Sequence, residues 1–202
     1  MKSLSEIETV SKRSSRAAGF TWGVAEEVGK NIRMLEMFGL AGIKNLNYYF
    51  KVKANKNFEK LNLIKKKNKI TNQELCPIIT GLNFLDQVRS LETFGEIKFQ
   101  KLAYPLLFLP FISRASEVIG KKLQLEIDNR VFLLNYNNSI YSNSLNSDIL
   151  EIGNNILIKF KENKDLFKEN EWKELYKLSE KTFVEENESL KNVGAGAGLT
   201  DN

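Results

Sequence analysis

The chain contains no histidine. That excludes Ser-His and Cys-His dyads, His-ligated metals and a histidine proton switch. It has one cysteine, Cys76. An intramolecular disulfide and a cysteine cluster for zinc or iron–sulfur are therefore excluded. No His- or Cys-ligated metal is expected, and any metal would be a hard ion on carboxylates. With 3 Pro and 12 Gly in 202 residues, the chain is neither collagen-like nor low-complexity. Long apolar runs are missing too. The longest, Leu102 to Ile112, is broken by Tyr104, Pro105 and Pro110, and it falls short of the roughly 20 residues that span a bilayer. The N-terminus lacks the apolar middle of a signal peptide, and Glu6 and Glu8 stand where a basic leader is wanted. The expectation is a cytoplasmic protein with no membrane partner.

What is present suits an ordinary globular protein: 42% hydrophobic and 27% charged residues. The length allows about one to one and a half domains and a full core. The net charge of +5 is local in origin. Residues 51 to 70 hold eight Lys and one Glu, so the remainder of the chain is near −2. Lys outnumbers Arg 24 to 6 and Asn is common, as codon bias in an A·T-rich gene produces. A Lys-rich, solvated, exposed linker is the plain reading of this segment, and nucleic acid is an unlikely partner on it.

Ser3-Leu4-Ser5-Glu6 has the form of a capping box. Leu4, Ile7, Val10, Ser14 and Ala17 follow at helical spacing, which predicts a helix over 4–18 stopped by Gly19. Thr21 caps a second helix over 22–38 with an Ala25, Val28, Ile32, Leu35 stripe. Gly29 costs that helix up to ~1 kcal/mol relative to Ala, which a close helix contact over Ala25 and Gly29 would offset. A third helix is expected over 42–51. Beyond the Lys-rich segment, Gln73 to Thr80 is short and apolar, limited by Pro77. Helices are expected over 82–92 and 106–119, the latter blemished by Pro110. Glu96 to Lys101 alternates like a strand, and Leu123 to Ile127 and Val131 to Tyr136 read as a hairpin turning at Asp128-Asn129. A second hairpin is expected from 149–152 and 156–160 about Gly153-Asn154-Asn155. A C-terminal helix over 170–184 precedes a Gly-rich strap. The expected fold is α+β, one domain over 1–202: a helical unit (1–50), the Lys-rich exposed segment (51–70), and mixed helices and antiparallel strands (71–202). In it the N-terminal helices pack on an antiparallel sheet.

The richest stretch for chemistry is Gly19 to Lys30. A tight turn joins two helices there, and the second helix presents free N–H groups and the positive end of its dipole. An anion could dock with Arg16 beside it and Trp22 as a wall. Glu26, Glu27 and Lys30 lie one turn on. The alternative is a capped helix with surface ion pairs worth ~0.3–0.5 kcal/mol each. The tail Gly194-Ala-Gly-Ala-Gly198 is not a phosphate loop, because no strand precedes it and no helix follows. It is a strap that could carry Asp201 into a neighbouring site. Cys76, before Pro77 among Leu75, Ile78 and Ile79, reads as a buried inert thiol.

Several segments carry a resemblance: Ser3-Leu4-x-Glu6-Ile7; Arg16-Ala-Ala-Gly-x-x-Trp22-Gly-x-Ala-Glu26-Glu27-x-Gly-Lys30; Pro105-Leu-Leu-x-Leu-Pro110; Trp172 with Thr182-Phe-Val184; and Gly194-Ala-Gly-Ala-Gly-Leu-Thr-Asp-Asn202. With these the chain resembles an uncharacterised bacterial full-length family, a domain of unknown function. The resemblance implies a single module and directs the site to the two chain ends, away from 51–70. It brings no reaction or cofactor with it.

The leading expectation is a small anionic metabolite bound in a metabolic role, at Arg16, Trp22, Glu26, Glu27, Lys30 and Asp201, with an enzyme as one form of that role. Any catalysis would use Glu, Asp, Lys, Arg or Tyr. The alternatives are a non-catalytic partner subunit acting through its Gly/Ala tail and a polyanion binder acting through residues 51–70. The turn and the strap are expected to meet at Trp22.

Overall fold

The computed structural model describes residues 2–68, 73–144 and 151–183. The chain divides into two compact units, Met1–Asn163 and Lys164–Asn202. The fold is α+β, with six α-helices and one five-stranded antiparallel sheet among the described residues. None of these helices is long and apolar enough to cross a membrane.

The first unit opens with three helices: α1 (Leu4–Ala17), α2 (Trp22–Met37) and α3 (Gly42–Lys53). Ser3 Oγ accepts from the Glu6 N–H at 3.1 Å and Thr21 Oγ1 from Val24 at 3.5 Å, so both expected caps form. Gly19 sits at φ +92° and lets the chain reverse between α1 and α2. Gly29 lies where the two helices touch. A methyl group there would fall 2.8 Å from the Glu8 carbonyl oxygen, so the close contact that offsets the glycine's helix cost is present.

Two further helices, α4 (Pro77–Leu91) and α5 (Leu109–Ile119), lie on the sheet, and α2 packs against both. Both prolines of the expected interruptions start helices instead. Pro77 is the first residue of α4, and Pro110 stands in the first turn of α5. The missing N–H costs nothing in a first turn, where no intrahelical acceptor exists.

The strands are β1 (Glu96–Ala103), β2 (Leu123–Ile127), β3 (Arg130–Asn135), β4 (Ser139–Ser142) and β5 (Ile152–Phe160), in the spatial order β1-β5-β2-β3-β4. Alternation puts Ile97, Phe99, Leu123, Leu125, Ile127, Phe132, Leu134, Ile156 and Ile158 into one continuous buried core with α4 and α5. The expected hairpin about Gly153-Asn154-Asn155 does not form. Those residues run straight on within β5, and residues 149–150 lie outside the described residues. The Asp128 carboxylate, from the β2–β3 turn, accepts the Asn154 and Asn155 N–H groups at 3.2 and 2.9 Å. Together with the pairing of Gly153 and Asn155 opposite Leu102 and Gln100 of β1, that clamp holds the segment extended.

The Lys-rich segment is not a free linker. Lys56, Lys60, Lys65, Lys66 and Lys67 face solvent, but the backbone of the segment is bonded to the core. The Glu59 N–H donates to Glu74 O at 2.9 Å and Lys98 N–H to Lys66 O at 3.0 Å. Side chains of α4 hold the stretch between them: Asn83 donates to Leu61 O at 2.9 Å and Gln87 to Asn62 O at 2.8 Å. Ile64 is only 3% exposed, and Phe58 and Leu61 pack on the core. Burying these three side chains outweighs the solvation preference of the lysines, whose charged ends reach water without lifting the backbone.

The second unit contains α6 (Glu169–Ser179) and a 3-10 turn, Glu180–Thr182. Glu171 accepts from the Lys168 N–H at 2.6 Å at its start. Trp172, Leu175, Tyr176 and Leu178 are all exposed. The expected strap from Gly194 on, with Asp201, lies outside the described residues.

Candidate functional site

A ladder of polar contacts runs along the α1–α2 seam. At the turn, Arg16 Nη1 donates to Phe20 O at 3.1 Å, and its guanidinium stands 5.6 Å from the Trp22 ring centroid. One rung further, Glu26 lies 3.5 Å from Lys12 and 3.3 Å from Lys30. At the far end, Arg33 meets Glu8 at 3.0 Å. Arg16 and Trp22 thus form one group, and Glu26, Glu27 and Lys30 form a second on the next turn of α2.

Glu27 turns away from the seam. It is 2.9 Å from Lys30 and is also bonded to Arg114 Nη1 of α5. Burial pushes its carboxyl up, but the hydrogen bonds from Arg114 and Lys30 and their charges outweigh this and hold it below the usual carboxylate range. The exposed Glu26 carboxyl is lowered as well, first by its bond to Lys30 and then by the charge of Lys12. Lys30 is raised, chiefly through its bond to Glu27. Both glutamates are therefore ionised at neutral pH. They act as acceptors and counter-charges rather than as general acids.

Beside this cluster is a cavity of about 240 Å³. Lys30 and Arg33 of α2 and Arg114 of α5 line it, with Met34 and Met37 as apolar wall and Glu8 at the edge. Asn137, in the left-handed conformation at the β3–β4 turn, closes one side. Its Oδ1 accepts from Ser113 Oγ at 3.2 Å, which turns the amide's donor end free for another partner. Glu8 and Glu27 each hold one guanidinium in place. Such pre-set planar donors suit carboxylate and phosphate oxygens.

Of the expected site residues Lys30 lines this cavity, and Glu27 stands behind it, bonded to Lys30 and Arg114. Arg114 and Asn137 are brought in from α5 and the β3–β4 turn, and no local pattern marks them in the sequence. Asp201 lies outside the described residues.

Cys76 is buried at the start of α4. Its Sγ accepts from Ile79 N at 3.4 Å and lies 3.1 Å from the Tyr49 hydroxyl. Burial, and then the neighbouring sulfur, push that hydroxyl far above its ordinary value. The Cys76 sulfur caps α4. Among the described residues, no group of three or more His, Cys, Asp or Glu side chains is placed to hold a metal ion.

The fold and cavity define an α+β protein with a cationic pocket at a helix–helix junction. Residues 2–76 match a family described as a protein of unknown function, DUF3726. The match spans α1 to α3 and the Lys-rich segment, and ends at the cysteine that caps α4. It contains the Arg16 to Lys30 stretch and not the sheet. No curated protein and no solved structure matches the chain.

Proposed function

We propose that the protein binds a small anionic metabolite in the cavity between α2, α5 and the β3–β4 turn. One observation carries this reading: Lys30, Arg33 and Arg114 converge on one concave surface, with Met34 and Met37 as its apolar wall and Glu8 and Asn137 at its margin. Counting the whole cluster, Lys12, Lys30, Arg33 and Arg114 face Glu8, Glu26 and Glu27. One positive charge is left over for a ligand. The methionines favour a ligand with an apolar portion beside its charged group.

The test is calorimetric titration with phosphate monoesters and small di- and tricarboxylates, followed by a repeat on variants. Arg114→Gln and Arg33→Gln are each expected to weaken the best binder about tenfold or more, as loss of a charged hydrogen bond does. If no anion binds, or both variants bind as well as wild type, the reading is wrong.

A second reading, a non-catalytic partner subunit, is favoured by the four large apolar side chains that α6 presents to solvent. Its original ground was the Gly/Ala tail, which lies outside the described residues.

A further inference from the structure

The Arg16–Trp22 pair takes no part in the cavity above, yet Trp22 is 59% exposed and carries a cation on its ring. A second such pair stands on α3. Tyr48 is 42% exposed, and Lys51 Nζ lies 5.4 Å from its ring centroid. The two helix ends are joined side by side. Lys53 Nζ donates to Ala18 O at 2.8 Å and lies 5.1 Å from the Phe20 ring centroid, and Phe20 and Phe50 are 6.5 Å apart. Between them is a cavity of about 340 Å³ lined by Ala17, Ala18, Gly19, Phe50, Lys53 and Ala54.

The charge along these two stretches of chain is one-sided. Residues 9–25 and 37–58 contain no Asp or Glu. Among the described residues, Arg13, Arg16, Lys51 and Lys53 form no ion pair with a carboxylate. This differs from the Lys30 cluster, where every cation has an acidic partner.

We propose that this end of the helical unit, the α1–α2 turn with the C-terminal half of α3, binds single-stranded nucleic acid. Each exposed aromatic with its own cation offers a base a face to stack on and the adjoining phosphate a counter-charge. Unpaired bases stack on aromatic faces whatever their identity, while Lys and Arg neutralise the backbone. Bases in a duplex are stacked inside it and offer no such face. The small residues of the turn let a strand approach the backbone closely.

The experiment is fluorescence anisotropy of the full chain with a labelled oligothymidylate or oligouridylate of about 12 nucleotides, within the site size of such surfaces. Binding is expected at low salt and should weaken by tenfold or more between about 50 and 200 mM. Trp22→Ala should weaken it about tenfold, the loss of one stacked base. Arg16→Glu and Lys51→Glu should abolish it, with melting curves showing that each variant is folded. Lys51 is exposed at the end of α3, so its variant keeps the test usable if Arg16→Glu does not fold. A duplex of the same length should bind more weakly than the single strand. Four results would overturn the proposal: no binding at low salt, equal binding of duplex, displacement by millimolar inorganic phosphate, or a loss confined to the Lys65→Ser, Lys66→Ser, Lys67→Ser variant. The last would move the contact to the Lys-rich segment.

Discussion

Glu27 connects two helices through charge, and its effect depends on pH in a defined direction. Its carboxyl is lower in the folded protein than in the unfolded chain. The stabilisation is therefore complete above the usual carboxylate range and is lost as the pH falls through the folded value. Glu27→Gln should lower unfolding stability by about 1–3 kcal/mol near neutral pH, because Arg114, only 27% exposed, keeps its charge without a partner. The gap to wild type should close in acid, as urea titrations at a series of pH values would show. A gap constant with pH would mean that packing, not charge, is at stake. Gly29 sets two effects against each other. Alanine would gain up to about 1 kcal/mol of helix propensity. Its methyl group would also press on the Glu8 carbonyl at 2.8 Å and on Lys12 Cβ at 3.1 Å. Backbone cannot yield as a side-chain end can, and overpacking costs about 1–3 kcal/mol. Gly29→Ala should thus lower the melting temperature; an increase would show that α1 slides freely on α2.

Among the elements, the segment from Phe58 to Asn68 separates side-chain charge from backbone anchoring. Replacing Lys65, Lys66 and Lys67 by Ser should change stability by no more than about 0.5 kcal/mol, since all three are exposed. Ile64→Ala, between them and α4, should cost about 2–5 kcal/mol. Equal melting curves for Ile64→Ala and wild type would return the segment to a solvated linker. This contrast explains what the sequence makes legible. Ser3, Thr21 and Gly19 act on their own neighbours, so α1 and the start of α2 can be placed without knowing the rest of the chain. Leu123, Leu125 and Ile127 likewise declare a half-buried strand by alternation. Phe58, Leu61 and Ile64 have a buried face too, but eight lysines around them mask it. Gly153-Asn154-Asn155 is locally a turn, and distant partners make it a strand: Gln100 and Leu102 of β1 in the ladder, and the Asp128 carboxylate, 26 residues before Asn154. The candidate site divides in the same way. Lys30 and Glu27 are visible as helix neighbours, whereas Arg114 is 87 residues from Glu27 and reaches it only through packing of α5 on α2.

At the scale of the whole chain, trypsin distinguishes lysine density from backbone protection. Residues 51 to 70 offer eight lysines, and by density alone this segment would be cut first. From Glu59 to Asn68, though, its backbone is bonded to β1, α4 and the strand-like stretch at Leu75, and a protease needs a stretch of chain free to extend. Opening it would expose Ile64 and Leu61, so cleavage there must wait for a local unfolding step. The stretch 161–168 between β5 and α6 is different. It has no helix or strand, residues 162–168 are all exposed, and it carries Lys161, Lys164 and Lys168. It also coincides with the division between the two compact units. Exposed segments of this kind are the preferred sites of nicking. Limited trypsin digestion under native conditions should therefore give a first stable product that still contains α1 and ends at Lys161, Lys164 or Lys168, read by intact mass. That product should keep the cooperative melting transition of the first unit, because its core is complete without α6. Early cuts after Lys65, Lys66 or Lys67 would contradict the anchoring described for that segment and would weaken the Ile64 prediction with it.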